Sequence, residues 1–261
     1  MSPDDIANAA LIPVIVVFGI IAVRGRRAGR LRLGFSPRHG GVREFAAGAG
    51  LACAAILMIF AIELATGLVR VTAFTAQFGQ VGAYLVYLLI LGAIEEMAFR
   101  GLLLPGLALA TRSAWIGTGI TALLVAVPYL FGTGANALTF LSAVLSGFMY
   151  GLAYVATGRI WAPIGMRVAW NFVQGPVLGF TVSGTTVGSV SLLRLTGNEP
   201  VWLAGGAYGP EGGTIAILVR LVIIAMLTVW ITKHLGTRGP LLGPPAVRGA
   251  DGAGRSRADR P

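Results

Sequence analysis

Residues 81–110 read VGAYLVYLLILGAIEEMAFRGLLLPGLALA, an apolar run in which only Glu95, Glu96 and Arg100 carry charge. Wound as one α-helix at 1.5 Å per residue it would be about 45 Å long, whereas the hydrocarbon core of a bilayer is about 30 Å thick. The reading of this stretch therefore decides the fold. Gly92 and Pro105 are the places where it could break, and a break at Gly92 would add a short helix and reopen the topology downstream.

The rest of the chain agrees with a membrane setting. Of its 261 residues 56% are hydrophobic and 11% are charged, against about 25% charged in soluble domains. The mean hydropathy is +0.80. A soluble domain of this length needs a charged coat that this composition cannot supply. The net charge of +10, which in a soluble protein would suggest nucleic acid, reads instead as a marker of topology. No nucleic-acid module, phosphate-binding glycine loop, dinucleotide fingerprint or internal repeat is evident. The lone Cys53 lies in an apolar run and excludes an internal disulfide framework or a cysteine metal site.

Apolar runs of bilayer length fall near 7–23, 45–69, 81–104, 113–131, 138–157, 160–182 and 214–232. The expected fold is an all-α polytopic membrane helical bundle of about seven transmembrane helices, eight if Gly92 breaks the third run. A short tail would cover 1–6, the helical domain 7–238, and a disordered basic tail 239–261, rich in Gly, Pro and Arg. The first run does not read as a signal peptide, because Asp4 and Asp5 precede it and Arg24 to Arg27 follow it. Arg24, Arg26, Arg27, Arg30, Arg32, Arg38 and Arg43 crowd the first loop, and Lys233, Arg238, Arg248, Arg255, Arg257 and Arg260 follow the last span. Positive residues stay on the cytoplasmic side, so the expected orientation is N-terminus outside and C-terminus cytoplasmic, in the plasma membrane. Arg112 and Arg159 then fall inside, with Arg70 and Arg194 outside. The basic loop needs no partner beyond anionic lipid.

Six ionisable residues fall within the spans: Glu63, Glu95, Glu96, Arg100, Arg167 and Arg220. Each ionised group at mid-membrane costs about 2.5–3.5 kcal/mol on insertion scales, so equal numbers of the two signs imply pairing. Glu96 and Arg100, four apart on one helical face, suit an ion pair. Glu95 points about 100° away and cannot share Arg100 well, so one of the two carboxylates should face a polar interior. Glu95 is the candidate general base on that ground. Glu63, alone on its span, is expected to partner Arg220 or to line the cavity.

The run Glu95-Glu96-Met97-Ala98-Phe99-Arg100-Gly101 has the form E-E-x-x-x-R and resembles the first motif of the CPBP family of intramembrane endopeptidases. That family includes the eukaryotic CAAX prenyl proteases and bacterial bacteriocin-processing and immunity proteins, and is also called the ABI family. Thr157-Gly158-Arg159-Ile160-Trp161-Ala162-Pro163-Ile164, followed by Trp170-Asn171, is similar to its third motif, T-G-x-x-x-x-P-I leading to H-x-x-x-N. The likeness covers roughly 81–175, and more weakly the turn-rich loop Gly205–Gly212. It implies a glutamate that activates water to cleave peptide bonds of membrane-associated substrates, helped by two histidines and an asparagine, with a divalent metal debated. Residue by residue, Glu95 matches the base, Glu96 its companion, Arg100 the motif arginine and Asn171 the asparagine. The two histidines do not carry over: Tyr129 stands in one place and Arg167 in the other. The only histidines are His39 and His234, both expected in solvated cytoplasmic segments, so the cofactor stays open.

A depth count from the cytoplasmic span ends puts Glu95 at about 13 Å, Arg167 at about 10 Å, Asn171 at about 16 Å and Tyr129 at about 24 Å. The first three share a layer and Tyr129 lies deeper. A guanidinium donates only, so Arg167 can neither bind metal nor shuttle a proton, and it would hold a neighbouring carboxylate ionised. Tyr129 and Arg167 could still stabilise an oxyanion. Two functions follow: a divergent intramembrane endopeptidase with Glu95 as base, or a catalytically degenerate member that binds or scaffolds a peptide or partner helix in the bilayer. A transporter or channel is the third, and the lack of paired similar halves counts against it.

Overall fold

The computed structural model describes residues 3–28, 34–35, 40–185 and 190–234. His39, Arg30, Arg32, Arg38 and the tail expected to be disordered from Gly239 onward lie outside the described residues. The rest is an all-α membrane bundle. Helices α1 (Pro3–Arg27) and α2 (Gly41–Ala65) lead to strand β1 (Val69–Phe74), and α3 (Phe78–Glu96) passes through a π-helical stretch, Met97–Leu103, into α4 (Leu104–Thr111). Then follow α5 (Ala114–Ala126), α6 (Ala137–Thr157) and α7 (Trp161–Phe172). Strand β2 (Leu193–Gly197), the short α8 (Val201–Ala204) and α9 (Thr214–His234) complete the described chain.

Among the described residues five helical segments are long and apolar enough to cross a membrane: Ala9–Arg27, Gly41–Ala65, Phe78–Thr111, Ala137–Thr157 and Thr214–His234. The runs expected as spans at 113–131 and 160–182 form shorter helices. Pro128 turns the first into a 3-10 helix at Val127–Leu130, and the second ends in a π turn, Val173–Val177, that contains Pro176. Helices short of the full bilayer thickness are tolerated where protein covers their ends, and eight of the twelve residues of α7 are buried. Neither Gly92 nor Pro105 breaks the long run. Phe78–Thr111 stays helical, because its interior proline follows the π-helical stretch at the start of α4, and it stops where Arg112 takes a left-handed conformation (φ 57°) before the Ser113 cap of α5.

The helices pack through small residues. A Cβ on Gly48 would lie 2.2 Å from the carbonyl oxygen of Ala162, and one on Gly165 would lie 2.1 Å from that of Phe45. Only glycine lets α2 and α7 approach this closely, as is usual where lipid supplies no hydrophobic drive between helices. Though short, α7 serves two cores: Met166 and Trp170 join Ile56, Ile59 and Val219, while Ile164 and Val168 join Leu88, Leu104 and Tyr154.

The two ends of the bundle differ. At one, Arg159 pairs with Glu44 at 2.6 Å and Ile160 N–H donates to the carbonyl of Gly34, which ties the loop after α6 to the start of α2. At the other, β1 and β2 form an antiparallel ribbon with Val69 opposite Gly197 and Phe74 opposite Leu193. The ribbon brings Arg70 and Arg194, which the charge pattern assigns to one side, into the same structure.

Candidate functional site

The site forms where α3, the π-helical stretch, α6 and α7 meet. Gly92 sets the spacing: a Cβ there would touch Val168 Cγ2 at 3.0 Å and Arg167 Cδ at 3.6 Å, so the side chain of Arg167 lies against α3. Arg167 then holds both adjacent carboxylates. Its Nη1 pairs with Glu95 Oε2 at 2.9 Å and its Nε donates to Glu96 Oε1 at 2.5 Å. Glu96 Oε1 also accepts from Arg100 Nη1 at 2.9 Å, the pair expected from the i, i+4 spacing. Arg100 and Glu96 are both fully buried, whereas the Glu95 side chain keeps 34% of its surface exposed.

Arg100 lies in the π-helical stretch, a wider turn that recurs at functional sites. Its Nη2 donates to the carbonyl of Gly147 on α6 at 2.9 Å. Tyr150, one turn further along α6, offers its ring to two guanidiniums, with Arg100 Cζ at 5.4 Å and Arg167 Cζ at 5.1 Å from the centroid. Cation–π contacts of this kind contribute about 2 kcal/mol when desolvated.

Beyond Arg167 opens a small cavity of about 40 Å³, lined among others by Tyr129, Tyr150, Arg167, Asn171, Glu211 and Arg220. Tyr129, Arg167 and Asn171, three of the candidates expected from the sequence, thus meet. Tyr129, which the depth count placed lower, reaches the cavity from the 3-10 turn after α5, and its ring meets Tyr208 edge-on at 6.5 Å. Neither Glu95 nor Glu96 lines the cavity, and Arg167 links them to it.

Arg220 corrects one expectation. Its partner is Glu211, not Glu63: Nη2 lies 3.0 Å from Glu211 Oε2, and Nη1 donates to the Glu211 carbonyl at 3.0 Å and to the Ser142 hydroxyl. Ser183 donates to Glu211 Oε1 through its N–H at 2.6 Å and its hydroxyl at 2.8 Å. The guanidinium sits 4.6 Å above the ring of Trp170. Glu63 is fully buried in α2, and neither of its carboxylate oxygens has a hydrogen-bond partner among the described residues. The charge balance inside the membrane was right in number but wrong in membership. Glu211 was hidden by its loop, yet an acid framed by glycines nine positions before an arginine inside a span was a usable signal. Burial first, then the Glu211 carboxylate, pushes the Tyr208 phenol above its ordinary range, which keeps it a neutral donor.

A divalent metal does not fit this donor set. Among the described residues no three His, Cys, Asp or Glu side chains cluster. The cavity offers phenols and guanidiniums in place of ligating nitrogens, and its two arginines repel a cation. His234 lies at the end of α9, stacked on Trp230, away from the cavity.

Residues 77–173 match the family model described as Rce1-like, type II CAAX prenyl endopeptidase. Over that segment the chain is similar to this family. The match runs from the start of α3 to the end of α7 and takes in Glu95, Glu96, Arg100, Tyr129, Arg167 and Asn171. It bears out the likeness read from the E-E-x-x-x-R and T-G-x-x-x-x-P-I runs. Glu211 and Arg220 complete the cavity from outside the Rce1-like segment. No curated protein and no solved structure matches the chain.

Proposed function

We propose that this integral membrane protein keeps the cavity of a CAAX-type protease but not its water chemistry, and acts as a membrane-embedded binding or scaffolding protein. The observation that carries this is the bridging of Glu95 and Glu96 by one guanidinium. A general base needs a lone pair aimed at a water and a partner that can pass protons on. Here Oε1 of Glu96 accepts from two arginines, Glu95 is tied to Arg167, and an arginine cannot relay a proton as a histidine can.

The exposure of Glu95 and the presence of Asn171 and Tyr129 in the cavity favour a second reading, a divergent intramembrane endopeptidase. In it Glu95 activates water on its open side, and Arg167 and Tyr129 stabilise the oxyanion. In either reading the basic loop and α9 end at the cytoplasmic face of the plasma membrane, with the N-terminus outside.

The test is cleavage by the full chain reconstituted in lipid nanodiscs, offered prenylated and unprenylated peptides. No product is expected, nor any zinc binding after Arg167→His alone, because Tyr129 still lacks a ligating nitrogen. Product that disappears in Glu95→Gln would replace the binding reading with the protease reading.

A further inference from the structure

We propose that the cavity between α6, α7 and the Glu211 loop receives a single carboxylate group. This rests on the binding reading above and names the chemical class of its ligand. The inference starts from an imbalance of donors and acceptors in the lining. Arg167 and Arg220 only donate, while Tyr129, Tyr150, Asn171 and Ser146 add hydroxyl and amide hydrogens. The one anionic side chain in the lining is already engaged: Glu211 Oε1 accepts twice from Ser183 and Oε2 accepts from Arg220. Tyr208, held neutral by its burial, adds a further donor. The two guanidiniums favour a guest that brings acceptors, which the hydroxyl and amide groups can meet with their own hydrogens, and an ionised carboxylate brings about four lone-pair sites and no donor.

Charge and size point the same way. Two guanidiniums and one carboxylate face the space, an excess of one positive charge at the lining itself, while Glu95 and Glu96, paired with Arg167 from behind, balance the cluster as a whole. A volume of about 40 Å³, at about 10–15 Å³ per water-sized centre, admits about three or four heavy atoms. That matches a carboxylate and is too small for a phosphate. The remainder of the ligand would lie outside the cavity, whether it is the chain of a fatty acid or the C-terminal residues of a peptide.

Trp170, stacked on Arg220 at 4.6 Å, supplies the readout. The full chain in zwitterionic nanodiscs would be titrated at constant ionic strength with sodium acetate, acetamide and sodium chloride, following fluorescence with Trp170→Phe as control. A saturable change is expected with acetate at least about tenfold below any response to acetamide or chloride, absent in Trp170→Phe. Tyr129→Phe and Asn171→Ala, which strand no buried charge, should each weaken it about fivefold, the scale of one hydrogen bond. Decanoate against decanamide, and N-acetyl-Leu-Ala against its C-terminal amide, identify the source, and preference for either acid supports the proposal. Equal responses to acetate and acetamide, a chloride response as strong as acetate, or no response would overturn it. Peptide cleavage by the wild type would sink the binding reading alone, since an acetate preference would still stand.

Discussion

Two ion clusters flank one cavity. The Glu95–Glu96–Arg100–Arg167 cluster lies in the Rce1-like segment and is shared among four side chains, one of them a third exposed. The Glu211–Arg220 cluster lies outside that segment and is closed on itself by Ser142 and Ser183, with little exposure on either charged partner. The first has an exposed end at Glu95, which lies off the cavity, and the charged side chains with which the second meets the cavity are buried. A closed cluster fixes the loop before α9 to α6. An open one keeps a carboxylate within reach of whatever enters beside it. The likeness to the family's third motif sets a histidine at the place of Arg167, and on the binding reading proposed above an arginine there turns a site for proton transfer into a set of fixed charges.

The sharpest way to break this contrast is Glu96→Gln. Among the described residues Glu96 is the one carboxylate that holds two guanidiniums, and Arg100, fully buried, would lose its anionic partner. Removing one partner of a buried pair costs about 3–5 kcal/mol, because the other charge is left in a low dielectric. Thermal unfolding of the purified protein should show a larger loss for this variant than for the glutamine variant of Glu211 or of Glu95. A loss no greater than that of a surface change would mean that water reaches Arg100.

Glu211→Gln comes next, at about 3 kcal/mol, the low end of the same range. Arg220 keeps two acceptors after the change, the carbonyl of Glu211 and the hydroxyl of Ser142, and the glutamine carbonyl can still accept from Ser183. Limited proteolysis should find the loop between β2 and α9 more open in this variant and unchanged in Glu96→Gln. The reverse pattern would mean that the second cluster does not anchor the loop.

The sequence made the first cluster legible and hid the second, for physical reasons. Glu95, Glu96 and Arg100 are charges in an apolar run, where each must have a partner, and i, i+4 spacing names one directly. Arg167 and Asn171 are legible through the T-G-x-x-x-x-P-I run that precedes them. Glu211 sits in a loop of glycines, where no periodicity reports burial, so Glu63 was the visible partner for Arg220 and the wrong one. The helices followed from hydropathy, but their ends did not. Pro128 and Pro176 shorten α5 and α7 inside protein, where a hydropathy window cannot tell buried from lipid-facing, and the β1–β2 ribbon depends on contacts more than a hundred residues apart.

The smallest effect is expected for Glu95→Gln, and it tests the contrast most directly. Glu95 makes one ion pair, to an arginine that Glu96 also holds, and a third of its side chain is exposed. Partly solvated pairs contribute about 0–1 kcal/mol, so the thermal midpoint should move little. The amide oxygen can still accept from Arg167, and Arg167 keeps its charge partner in Glu96. A stability loss as large as that of Glu96→Gln would show that the two carboxylates act as one buried unit, and the exposed end would vanish. A small loss leaves Glu95 as the one acid of the site whose removal changes its chemistry and not its fold, which makes it the substitution to carry into every binding and cleavage assay.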